Sequence, residues 1–131
     1  MIPPQDLEAE KAVIGACMFG RKMFDRAETI LVSPEYFYSP KHEMIWRCFQ
    51  VVCGTNNPLD LITVKNQLSK DGNLDAVGGV EGLAEIMDKT YNSENVEFHA
   101  GIVREMWLRR RQIAIGQRLE AAAFDNTKDI F

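Results

Sequence analysis

From Ser93 to Phe124 the chain reads SENVEFHAGIVREMWLRRRQIAIGQRLEAAAF, without a proline and with only Gly101 and Gly116 as weak points. A helix running unbroken from Glu94 to Phe124 would be about 45 Å long at ~1.5 Å per residue. That exceeds the width of the head that the preceding helices could build. The helix therefore either breaks, at Gly116, or projects beyond the head. A projecting helix must bury Ile102, Met106, Ile113 and Phe124 against something, which makes these four the candidates for an oligomer or partner interface.

Helical spacing also dominates the stretch before it. Asp6 can cap a first helix, with Glu8 and Glu10 near its positive end and Leu7, Ile14 and Cys17 on one face, ended by Gly20. Phe24, Ala27 and Leu31 mark a second helix. Two Ser-Pro pairs, Ser33-Pro34 and Ser39-Pro40, are helix starts: the hydroxyl satisfies an orphan N–H and proline lacks one. From Ser39 a third helix is predicted to about Cys53, with Ile45, Phe49 and Val52 on its apolar face. After the loop GTNNP, Asp60 caps a fourth carrying Leu61, Val64 and Leu68, stopped at Gly72. Gly78-Gly79 opens another, with Val80, Leu83 and Met87 on its face. The expectation is an all-α chain. A compact head of about five to six helices (1–92) precedes the long helix (93–124), and 125–131 holds a turn and the start of a further helix. Asp125-Asn126 reads as the turn, Asp129 to Phe131 as that start, and the ending as a truncation.

The glycines of LDLITVKNQLSKDGNLDAVGGVEGLAEI suggest at first a phosphate-binding loop. Such a loop needs G-x-x-x-x-G-K-S/T after a buried strand. Here Gly72 follows an amphipathic helix and no Gly-Lys-Ser/Thr occurs, so the glycines punctuate helices. Cys17, Cys48, Cys53, His42 and His99 lack metal-ligand spacing. The three cysteines sit among apolar residues as reduced, buried thiols, which fits a cytoplasmic protein. His42 lies on the apolar face of its helix as a hydrogen-bonded core residue, and nothing forms an enzyme signature. No segment reaches the ~18 apolar residues of a membrane span, and the N-terminus is not a signal peptide.

The net charge of −4 weighs against stand-alone nucleic-acid binding, which phosphate neutralisation drives. A local stripe remains. Arg104, Arg111 and Arg118 recur every seven residues, flanked by Arg109 and Arg110. The stripe is either a solvated face, paired in part with Glu105 and Glu120, or a docking strip for an acidic partner or a nucleic-acid backbone.

The order of PPQDLEAEKAVIGA, SPEYFYSPKHEMIW, NPLDLITVKNQL, DGNLDAVGGVEGLAEI and NSENVEFHAGIVREMWLRR resembles the N-terminal domain of DnaB-family replicative DNA helicases, over essentially the whole chain. The resemblance implies an all-helical head followed by a helical hairpin. Leu7, Ile14, Phe37, His42, Leu68, Leu83, Ile102 and Val103 would then build the head and the hairpin root. Met106 to Phe124 would be the first arm, with a truncated second arm beginning near Asp129. It also implies a non-catalytic module that pairs with itself, builds a trimer-of-dimers collar, and receives primase and, in some members, a helicase loader. ATP, magnesium and most DNA contacts would belong to a motor domain absent from this chain, and no membrane partner is implied. Met18 to Arg21 departs from the turn usual in that family, and Cys17 and Cys53 are less usual choices.

Overall fold

Asp6 opens α1 (Leu7–Cys17) by accepting the Ala9 amide at 3.0 Å, satisfying one of the orphan donors of the first turn. In this computed structural model, which describes residues 1–89, 93–125 and 127, that pattern of local starts and stops recurs. Gly20, at φ 139°, reverses the chain into α2 (Arg21–Glu28). Leu31 lies past the end of α2 and is nonetheless buried. The first Ser-Pro pair starts only a single 3-10 turn, Pro34–Tyr36. The turn ends at Phe37, already extended (ψ 134°), and Pro40 then holds Ser39 extended (ψ 125°). The second pair opens α3 (Pro40–Gly54), though the Ser39 hydroxyl makes no capping bond there. Asp60 and Thr63 form a reciprocal capping box on α4 (Leu61–Lys70). Gly72, at φ 74°, ends α4, and the Asn73 amide donates to the Leu68 carbonyl at 2.8 Å. A 3-10 turn, Asp75–Val77, leads through Gly78 into α5 (Gly79–Asp88).

Another 3-10 turn, Ser93–Asn95, precedes α6 (Val96–Phe124). The helix runs through Gly116 without a break, so of the two alternatives open in the sequence it projects. Among the described residues the fold is all-α, with six α-helices and no strand. Asp125 leaves helical conformation and its carboxylate accepts the Thr127 amide at 2.9 Å, forming a turn. The expected second helix, from Asp129 to Phe131, lies outside the described residues.

The core centres on Trp46 of α3. Its ring lies 5.0 Å from Phe24, 5.1 Å from Phe37 and 6.0 Å from Phe49. Ile14, Leu68, Leu83 and Val103 belong to the same buried core. Leu7, expected in this core, is exposed instead, because it stands in the first turn of α1 ahead of the packed surface.

Cys17, Cys48 and Cys53 are free and buried. Burial pushes all three thiols upward, Cys48 to about 12. Below about pH 9 both folded and unfolded thiols keep their protons. Above it the unfolded chain loses protons first, so stability falls as pH rises. Between pH 8 and 10, a Cys48→Ala chain should show a loss of stability smaller than the parent's by about 1 kcal/mol, read from urea midpoints.

Gly82 fixes how α5 packs. A Cβ there would stand 2.6 Å from the Val77 carbonyl oxygen, which is backbone and cannot step aside. Gly82→Ala is expected to destabilise the head by about 1–3 kcal/mol in chemical denaturation. An unchanged midpoint would refute this close approach.

Candidate assembly surface

The projecting helix is fixed to the head by polar clamps at its root. Glu10 of α1, buried, receives the Tyr38 amide at 2.7 Å, the Ser39 amide at 3.2 Å and His42 Nδ1 at 2.8 Å. This pins the strap between α2 and α3. Arg110 of α6 then grips that strap, donating to the Tyr36 carbonyl at 2.9 Å and the Pro4 carbonyl at 2.8 Å, with its guanidinium 5.4 Å from the Tyr38 ring centre. Burial lowers the Arg110 pKa, while the nearby Glu10 charge opposes the shift. Trp107 stacks on Tyr36 with ring centres 4.1 Å apart. At the start of α6, Arg26 of α2 meets Glu97 in its first turn at 2.7 Å and Glu94 of the preceding 3-10 turn at 3.3 Å.

The sequence placed Arg110 beside a solvated stripe; in the structure it is a half-buried clamp. Its acceptors are main-chain carbonyls distant in sequence, which no spacing rule reveals. Glu10 was read only as a favourable charge near the helix start. His42, by contrast, is the hydrogen-bonded core histidine its position on α3 suggested.

Val96, Ala100 and Val103 face the head and are buried. From Arg111 to Phe124 every residue is exposed except Ala114. At ~100° per residue, Ile102, Met106, Ile113 and Phe124 fall on one flank of α6. Ile102 and Met106 are partly covered by the head, whereas Ile113 is 47% and Phe124 80% exposed. The interface candidates thus share one line, half of it partly covered at the root.

A second stripe escaped the sequence reading. Leu108, Ile115 and Leu119, spaced i, i+7, i+11, lie on the opposite flank and are 48%, 45% and 69% exposed. The arginines interleaved with them hid the pattern. Arg104, Arg111 and Arg118 are exposed along the border of this second stripe, and among the described residues no carboxylate lies in salt-bridge distance of them. Arg109 pairs with Glu105 at 3.0 Å. The outer arm therefore carries two apolar seams with a basic edge beside one of them. A lone helix with two such seams is suited to sit inside a bundle, one neighbour on each flank.

Among the described residues no group of three or more His, Cys, Asp or Glu could hold a metal ion. No helix among them is long and apolar enough to cross a membrane.

Comparison with known proteins meets the same architecture. The family described as "DnaB-like helicase N terminal domain" matches residues 2–105. A curated "Replicative DNA helicase DnaB" from Rhodothermus marinus is 36% identical over 99% of this chain and 14% of its own length. Its counterpart from Geobacillus stearothermophilus is 39% identical over 86% of this chain and 24% of its own length. The chain thus spans under a quarter of these curated relatives. The crystal structure of the N-terminal domain of DnaB helicase from Mycobacterium tuberculosis superposes with a TM-score of 0.90 at 29% identity, covering 94% of this chain and 87% of that one. A helical head with a projecting helix, matched in sequence and in shape over most of its length, makes this chain a member of the DnaB-like helicase N-terminal domain family.

Proposed function

We propose that this chain is the non-catalytic assembly and partner-docking domain of a replicative hexameric DNA helicase in the cytoplasm. It pairs with further copies through α6, builds the collar above the motor ring, and receives primase, with a helicase loader as a further partner. The observation that carries the reading is the pair of exposed apolar seams on an arm clamped to the head at its root. ATP and magnesium belong, in this reading, to a motor domain, since this sequence has no G-x-x-x-x-G-K-S/T loop. DNA meets mainly that motor.

A second reading rests on the exposed Arg104, Arg111 and Arg118, which could track a nucleic-acid backbone. One experiment separates the two. This chain is titrated into labelled primase and, separately, into labelled single-stranded DNA at low and physiological salt. The docking reading expects primase binding that survives physiological salt, and DNA binding that is absent or salt-labile. DNA binding that persists at physiological salt and is abolished by Arg104→Ala with Arg111→Ala, without primase binding, would reverse the assignment.

A further inference from the structure

On the Leu108–Ile115–Leu119 flank of the arm, charge decides what the seam can meet. In heptad terms Leu108 and Ile115 take position d, Gln112 and Leu119 position a, and Arg104, Arg111 and Arg118 position g. Two α6 helices meeting antiparallel through this flank set g against g, one arginine row against the other. Meeting parallel, they set g against e, where Arg109, Gly116 and Ala123 stand. Presenting the other flank does little better. Of the three carboxylates on α6, Glu97 meets Arg26 and Glu105 meets Arg109, so a second α6 offers only Glu120 to three arginines. The seam calls for a surface of opposite sign.

The head supplies one. Residues 1–95 hold nine lysines and arginines against fourteen aspartates and glutamates, whereas α6 holds five arginines against three glutamates. At the end of α2, Asp25, Glu28, Thr29 and Val32 line a shallow hollow of about 390 Å³. Among the described residues no cation lies in salt-bridge distance of either carboxylate, and Val32 is 61% exposed. This is the chemistry of the arm with the sign reversed: an exposed apolar residue beside charges that have no ion-pair partner. The chain's own Arg111, Ile115 and Arg118 project beyond the head and stay exposed, so the match is made between copies.

We propose that the Leu108–Ile115–Leu119 seam docks on the α2 face of a second copy and not on that copy's α6. Arg111 and Arg118 reach Asp25 and Glu28 from either side of Ile115, which seats on Val32. The contact joins two different faces, so it passes from copy to copy and either closes a ring or runs as a filament. The proposal rests on the reading of α6 as an assembly element and names what one flank of it meets.

The test is made in the Phe124→Asp chain, where the opposite flank is disabled. Association is read by sedimentation equilibrium across a wide concentration range, with circular dichroism as the check on folding. Arg111→Glu with Arg118→Glu should weaken the residual association about tenfold, and Asp25→Lys with Glu28→Lys should do the same. Asp25 is exposed, so Asp25→Lys alone serves if Glu28→Lys disturbs the head. All four together restore opposite signs and should bring association back to within about threefold of the Phe124→Asp chain. The proposal is overturned if the head reversal has no effect, which would set arm against arm or give the seam to another protein. It is overturned equally if the four substitutions together associate no better than either pair, or if the Phe124→Asp chain is monomeric throughout. The unsubstituted chain, measured alongside, separates the failures. If it too is monomeric, the assembly reading falls as well; if it associates, only this contact does.

Discussion

Glu10→Ala is expected to destabilise the head by about 3–5 kcal/mol, a large share of the ~5–15 kcal/mol that holds a domain of this size together. The carboxylate satisfies three buried or half-buried donors at once: the amides of Tyr38 and Ser39 and the His42 ring. Removing it strands all three, and a buried donor without a partner costs about 1–3 kcal/mol. The damage should spread along a defined route. The strap it pins carries the Tyr36 carbonyl that Arg110 grips and the Tyr36 ring that stacks on Trp107. Urea denaturation gives the loss, and quenching of Trp107 fluorescence in a Trp46→Phe background reports release of the strap. A loss under 1 kcal/mol would show that Glu10 is solvated in a way its 1% exposure denies.

The second large effect falls on association and leaves folding alone. Leu119 is 69% and Phe124 80% exposed, and they lie on the two opposite seams of the arm. Leu119→Asp and Phe124→Asp should each weaken assembly of the chain by about 2 kcal/mol, roughly thirtyfold in dissociation constant. Each should change head stability by under ~0.5 kcal/mol. With the seams facing different neighbours, as proposed, the double substitution should leave a monomer. If only one of the two mattered, the arm would have a single partner helix; if neither did, it would have none. Ile113→Asp, on the Phe124 side, should behave as Phe124→Asp does.

Local rules made much of the fold legible. Asp6, Asp60 and the Ser39-Pro40 pair mark helix starts, and Gly72 marks a stop, because each acts within one turn of itself. The Ser33-Pro34 pair is the same dipeptide but yields one turn only, since Phe37 is extended and Glu10 takes the amides of Tyr38 and Ser39. What stayed hidden depends on distance along the chain. Glu10 meets partners 28 to 32 residues away, and Arg110 bonds a carbonyl 106 residues away. Main-chain partners leave no mark in a sequence. The Leu108–Ile115–Leu119 seam was hidden for another reason: arginines interleave with it along the sequence, and the helix carries a second apolar flank besides it.

In the proposed function α6 is the assembly element. The most direct test is the solution mass of the 131-residue chain by light scattering behind a sizing column, across a wide concentration range. The expected result is a concentration-dependent dimer or higher even oligomer that the Leu119→Asp, Phe124→Asp double substitution reduces to the 14.9 kDa monomer. A monomer at every concentration, or an oligomer indifferent to both substitutions, would contradict it.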